Sequence, residues 1–189
     1  MNVLEKFLKN IPLTDSQRAK VLALFQKIEL EQDSVFIEQG QVATKIGLVE
    51  SGIMMYVQND EQGKFWVCDF AEVGNWVTQY KSVSTQAPSP LSIIALEPVT
   101  LYMISYQNIT ELSNEMPEFE KGTRKIVEKE LFNLIDRSHH LQTLTASERY
   151  DKIRENRPNL LQRVPQYYLA SYLGIAPQSL SRLRNSVKS

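Results

Sequence analysis

The sequence predicts an α+β chain. It should hold an N-terminal β-roll or jelly roll with flanking helices, a long dimerisation helix, and a C-terminal all-α helix-turn-helix domain. Three observations carry this. Short β-rich runs between turn signals fill the region from about residue 33, and five of the seven glycines fall between Gly40 and Gly74. From Pro117 to about Thr143, apolar residues recur by fours and threes, the spacing of a coiled-coil seam. The stretch Val164–Asn185, VPQYYLASYLGIAPQSLSRLRN, reads as two short helices about a tight turn. The expected boundaries are 1–116 for the roll, 117–144 for the long helix and 145–189 for the C-terminal domain.

Residues 1–30 read as helical. Val3, Leu4, Phe7, Leu8 and Ile11 make one face, and Val21, Leu22, Phe25 and Ile28 another. Thr14 and Gln17 fit a capping box, in which two side chains satisfy the first free N–H groups of a helix. The β-rich runs are SVFI, IGLVE, IMMYVQ, KFWVCDF, LSIIAL and VTLYMIS. The breaks between them are Gln39-Gly40, Ser51-Gly52, Asp60–Gly63, Glu72–Gly74 and Glu97-Pro98, with Asp60–Gly63 a candidate hairpin tip.

A roll of this kind encloses either a small-ligand pocket or a solid core, and the sequence leaves both open. Gly74–Ile93 is its least strand-like piece. It either lines a pocket or closes the roll as a lid. The candidate pocket residues are Trp76, Thr78, Gln79, Tyr80, Ser89 and Ser92: rings for stacking, with an amide and hydroxyls for hydrogen bonds. Lys81 is the only basic residue there, and no glycine-rich phosphate cradle occurs.

In the long helix the seam is Val127, Leu131, Leu134, Ser138 and Leu141. At ~1.5 Å per residue the helix spans about 40 Å. Packing on the roll accounts for part of the seam, and a homodimer accounts better for the rest. Glu118 and Glu120 sit in the first turn, where the helix dipole favours acids. Gly122 has no evident role at this level. His139 and His140 are the only histidines. Neighbours on a helix point about 100° apart, so they share one metal poorly, and neither lies in the roll. No metal site and no cofactor is expected. Thr145 and Glu148 form a second capping box, opening a helix Glu148–Asn156 that Pro158 ends, so the joint near Leu144–Thr145 is the expected hinge.

In the C-terminal pair, Leu169, Ala170 and Leu173 mark the inner face of the first helix, and Gly174 stops it. Ile175 should be buried in the turn. Pro177 opens the second helix, with Leu180 and Leu183 inside. A generic helical hairpin shares part of this pattern. The outer face departs from it: Gln178, Ser179, Ser181, Arg182 and Asn185 are hydrogen-bonding side chains of the kind that meet phosphates and base edges. Gln can address adenine and Arg guanine in a bidentate way, while Arg184 on the flank suits a phosphate.

Charge agrees. The formal net charge of −1 is uninformative, but its distribution is not. Residues 145–189 hold eight Lys/Arg against three Asp/Glu, a net of +5, and residues 1–144 hold thirteen against nineteen, a net of −6. A basic end on an acidic body suits a nucleic-acid reader. Cys68 is alone, which excludes an internal disulfide and a cysteine-ligated cluster, and in FWVCDF it should be a buried, inert thiol. Charges interrupt the apolar residues of MNVLEKFLKNIPL, and no run reaches membrane-spanning length. The expectation is a cytoplasmic protein with no membrane partner. An enzyme in the roll finds no metal triad, nucleophile–base pair or phosphate loop to support it.

In order, IEQG…GLVESG (Ile37–Gly40 and Gly47–Gly52), the DEQGK tip, Glu72–Gly74, IALE…ISY (Ile94–Tyr106) and YLASYLGIAPQSLSRLR resemble the cyclic-AMP receptor protein/fumarate-nitrate regulator (CRP/FNR) superfamily of bacterial transcription regulators. The resemblance covers nearly the whole chain and is most specific in the last motif. It implies a cyclic-nucleotide-binding-like roll, a homodimer and binding to double-stranded promoter DNA. RNA polymerase and a small-molecule effector are further candidate partners. The chain departs from the cyclic-AMP-binding members at the phosphate loop. Thr78-Gln79-Tyr80 and Ser89-Pro90 stand where those members carry a Gly-Glu-Leu run and an Arg-Ser pair. The Arg that neutralises a cyclic phosphate and the Glu that holds the ribose hydroxyl are both absent. A buried phosphate without its cation costs roughly several kcal/mol, so cyclic AMP is not the expected effector. The N-terminal cysteines of the iron–sulfur members are missing too. Pro177 and Gln178 replace an Arg and a Glu of the prototype, while Arg182 matches its second base-contacting Arg, so the half-site should differ. The alternative is a small-molecule sensor acting on a protein partner without DNA.

Overall fold

The computed structural model describes residues 1–60 and 62–186, except the Ser186 side chain. Glu61 of the expected hairpin tip and Lys188 of the basic end lie outside the described residues.

The chain opens with α1 (Val3–Lys9) and α2 (Asp15–Leu24), each started by a capping box, Asn2 with Glu5 and Thr14 with Gln17. The strands are β1 (Gln26–Leu30), β2 (Val35–Ile37), β3 (Lys45–Ser51), β4 (Met54–Asn59), β5 (Phe65–Ala71) and β6 (Trp76–Val77). After α3 (Tyr80–Thr85) come β7 (Ser92–Ala95) and β8 (Val99–Ser105). The helices α4 (Tyr106–Glu115), α5 (Pro117–Thr143), α6 (Ala146–Asn156), α7 (Pro158–Arg163), α8 (Gln166–Leu173) and α9 (Pro177–Ser186) follow among the described residues. The strands form two antiparallel four-stranded sheets, ordered β1-β8-β3-β6 and β2-β7-β4-β5.

Three apolar clusters explain the layering. Phe36, Val49, Met54, Val77, Ile93 and Leu101 fill the space between the sheets. The outer face of the first sheet, through Leu48 and Ile104, packs on Leu4, Leu8, Val21, Leu112, Met116 and Phe119 of the helices. The outer face of the second, through Met55, Val57 and Phe70, joins a cluster with Ile153, Leu160, Leu169, Leu173 and Leu180. Strand β4 therefore buries both faces, which is why it reads as the unbroken apolar run IMMYV.

The structure corrects several expectations. Residues 26–30 are a strand pairing with β8, not helix, because the backbone of Gln26–Leu30 finds partners on Val99–Met103. The lid segment contains β6 and α3, and α4 follows β8, its Ser105 side chain accepting from the Asn108 N–H. Pro158 opens α7 as well as closing α6: a residue lacking an N–H fits a first helical turn, and the residue before it is kept out of the α region. Cys68 is half-buried, not buried, because it is the extra residue of a bulge between the pairs Tyr56–Asp69 and Val57–Val67. Ile175 is also only half-buried. Gly122 gains an account: a Cβ there would stand 2.5 Å from Ile11 Cδ1 and 2.8 Å from its Cγ1, so the missing side chain lets the N-terminal segment approach α5.

Candidate nucleic-acid interface

Helices α8 and α9 form the candidate interface. Gly174 stands at φ +69°, in the left-handed region that ends helices without a Cβ penalty. Its N–H donates to the Ser171 carbonyl at 3.0 Å, and the Ile175 N–H to the Ala170 carbonyl at 3.0 Å. Ala176 follows, and α9 begins at Pro177. Leu180 is fully buried and Leu183 half-buried. Gln178, Ser179, Ser181, Arg182 and Asn185 are all exposed, and Arg184 is half-buried. Neither Arg182 nor Arg184 pairs with a carboxylate among the described residues. The edge is polar, cationic and open.

Two arginines hold this pair from below. Arg149 of α6 donates to the Leu144 carbonyl at 2.6 Å and the Leu173 carbonyl at 3.0 Å, joining the end of α5 to the end of α8. Arg157, at the corner of α6 and α7, reaches β5. Its guanidinium donates to Glu72 Oε2 at 2.9 Å, Asp69 Oδ1 at 3.1 Å, the Phe70 carbonyl at 2.7 Å and the Tyr172 hydroxyl at 3.3 Å. Burial alone would make Arg157 less basic; Asp69, then Tyr172 and Glu72, outweigh it and hold the group above its ordinary range. Arg137 of α5 meets Asp69 Oδ2 at 3.4 Å and lies 4.2 Å over the Tyr172 ring. Burial, followed by Asp69, pushes the Tyr172 phenol up. Sequence reasoning gave no partner to Arg137, Arg149 or Arg157; Pro158 marked the end of a helix but not the charge partners of the residue before it.

The seam residues Val127, Leu131, Ser138, Leu134 and Leu141 are exposed on α5, and Phe132 and Ile135, which the heptad reading passed over, are exposed beside them. The rings of His139 and His140 are 6.3 Å apart.

The six candidate pocket residues are placed in different local environments. Trp76 is wedged edge-on against Phe7, with ring centroids 4.9 Å apart, on the outer side of the first sheet. The Thr78 hydroxyl donates to the Lys45 carbonyl at 2.9 Å. Gln79 caps α3 by accepting from the Ser82 N–H. Tyr80 is exposed. Ser89 is buried and donates to the Leu91 carbonyl, while Ser92 Oγ accepts from the Gln39 N–H at 2.9 Å. Tyr56 projects toward this region: burial pushes its phenol well above the ordinary value of 10, Asp69 and Glu130 add to that, and a bond to the Thr78 backbone opposes it. Two surface clefts, of about 270 and 440 Å³, share Thr44 and Lys45 and are lined by none of the six.

Residues 27–115 match the family model described as the cyclic nucleotide-binding domain. No curated protein matches the sequence. Among solved structures, the chain is similar to CLP, the c-di-GMP-responsive global regulator of Xanthomonas campestris, with TM-score 0.71 and 16% identity over 93% of this chain and 92% of that one. It is similar to FixK2 of Bradyrhizobium japonicum with TM-score 0.72 and 13% identity, over 87% and 84% of the two chains. It also matches the catabolite activator protein of Thermus thermophilus, with TM-score 0.57 and 16% identity over 96% and 86%. At these identities the likeness is one of fold: an eight-stranded roll in two antiparallel sheets, flanking helices, a long helix and C-terminal helices. No described helix is long and apolar enough to cross a membrane.

Proposed function

We propose that this chain is a transcription regulator of the CRP/FNR type that binds promoter DNA as a homodimer through α9. The observation that carries the reading is the open edge Gln178–Ser179–Ser181–Arg182–Asn185, backed by a fully buried Leu180. A helix so anchored can enter a major groove while its outer side chains meet bases. Gln178 and Arg182 are the base readers, and Arg184 on the flank engages a phosphate. The exposed stripe on α5 supplies the two-fold partner, which places two reading edges about 34 Å apart, one helical turn of DNA. The roll-bearing regulators of similar fold support this assignment. Control by a small molecule in the roll is part of this reading only as an option, and cyclic AMP is not the effector it favours: Thr78 and Gln79 are engaged in internal bonds, and no cation stands among Thr78-Gln79-Tyr80 and Ser89-Pro90.

The test is a fluorescence titration of the full chain against promoter fragments at two salt concentrations. A DNA reader releases counterions, so affinity falls steeply with salt. A flat response, or none, favours a sensor that acts on a protein partner instead.

A further inference from the structure

The unit α6–α9 does not hang from α5 by its covalent joint alone. Helix α8 lies along β5, the edge strand of its sheet. The Val67 N–H, which has no neighbouring strand to bond, donates to Ser171 Oγ at 2.9 Å. Phe65 meets Tyr168 and Phe70 meets Tyr172, with ring centroids 5.6 and 5.3 Å apart. Such apolar contacts are strong but undirected, and a sliding or tilted helix satisfies them nearly as well. The joint itself is short: α5 ends at Thr143, and α6 starts at Ala146 after two residues in extended conformation, Leu144 and Thr145.

Direction enters through Arg157. Its backbone stands at φ −140°, ψ 53°, the corner where α6 stops and α7 starts, so fixing its side chain fixes both helices. The planar guanidinium demands in-plane partners, and it has four, two of them carboxylates on or beside β5. Asp69 is shared: one oxygen faces Arg157 and the other faces Arg137 of α5. One carboxylate on the roll thus ties together the long helix and the C-terminal unit. These side chains are partly buried, so desolvation offsets much of their attraction, and the best-attested use of such an ion pair is to fix register.

Resting on the DNA-reading assignment, we propose that Arg157, held by Asp69 and Glu72, is a positioning residue: it sets the angle at which α9 is presented relative to α5, and so the separation of half-sites that the dimer accepts. It touches no base and no phosphate in this role. Half-site affinity belongs to α9; spacing selectivity belongs to the Arg157 cluster.

The test uses the full chain with Arg157→Gln and, separately, Asp69→Asn, each first checked for a cooperative thermal transition. Half-sites are obtained by in-vitro selection on the wild type. Binding is then measured to duplexes carrying one half-site, or two inverted half-sites whose separation varies in single base pairs. The wild type should prefer one separation by about tenfold or more, the ratio that roughly 1.4 kcal/mol produces. Both variants should keep single-site affinity and lose that preference. In parallel, spin labels at exposed Lys27 and Ser147, in a Cys68→Ser background, should give a narrow distance distribution that broadens in both variants. Folded variants with unchanged spacing preference and narrow distances overturn the proposal. A wild type that binds no duplex overturns the DNA assignment instead, and the label distances then decide by themselves whether Arg157 fixes the C-terminal unit.

Discussion

Truncating the α5 stripe tests the proposed homodimer most directly. Leu131 and Leu134 are 52% and 59% exposed in the protomer, so neither is needed for its core. Fully burying a leucine side chain is worth about 1.5–3 kcal/mol, and roughly half of each still faces water, leaving about 1 kcal/mol per side chain to be gained on covering it. Two-fold symmetry doubles every change. The variant Leu131→Ala/Leu134→Ala removes four such leucines per dimer and should cost about 4 kcal/mol of association, or ~10³-fold in the dimer Kd. Sedimentation equilibrium over a range of concentrations measures it. Thermal unfolding of the monomeric fraction should change little, because both positions are solvent-facing there. A variant that dimerises as tightly as the parent, or a parent that stays monomeric, refutes α5 as the seam.

Other expectations follow from single contacts. Arg182→Ala should cost roughly 1–3 kcal/mol on the selected site and relax its sequence preference, measured by binding to single-base variants; an equal loss on every sequence makes Arg182 a phosphate contact. Gly122→Ala gains about 1 kcal/mol of helix propensity but drives a methyl into buried Ile11, at a cost of about 1–3 kcal/mol, so chemical denaturation should show net destabilisation. Combined with Ile11→Ala, it should cost less than the sum of the two single changes, because the clash is relieved. Thr145→Ala should lose about 1 kcal/mol of stability by uncapping α6. Hydrogen bonds from Thr145 hold the Glu148 carboxyl below its ordinary 4.5. The stabilisation linked to that shift is therefore complete above pH 4.5 and fades as pH falls through the lowered value, so the Thr145→Ala deficit should shrink in acid.

Local rules made much of this fold legible. Proline at a first helical turn, Thr-x-x-Glu and Thr-x-x-Gln boxes, and glycine at the end of α8 each act within a few residues, so α2, α5, α8 and the start of α9 could be read directly. Elements that depend on distant partners were harder. Ile28 continues the helical spacing of Val21, Leu22 and Phe25, yet Gln26–Leu30 is a strand whose backbone pairs along β8. The six residues grouped as a pocket are near in sequence, and only the structure gives their neighbours: Trp76 meets Phe7, Gln79 caps α3, and Tyr80 is exposed. IMMYV carried a readable signal that the strand is buried on both sides, but not what would cover it.

By itself, then, the sequence determined the succession of β-roll, long helix and paired C-terminal helices, the polar make-up of the α9 edge, and the apolar repeat along α5. All of these follow from local conformational preference and periodicity. The tertiary structure alone decided that α8 covers the β5 edge, that Arg157 meets Asp69 and Glu72 from more than eighty positions away, and that Gly122 makes room for Ile11. The reason is physical: a guanidinium or a missing Cβ announces a capacity for contact, while its partner is chosen by how the layers pack and which polar groups that packing strips of water.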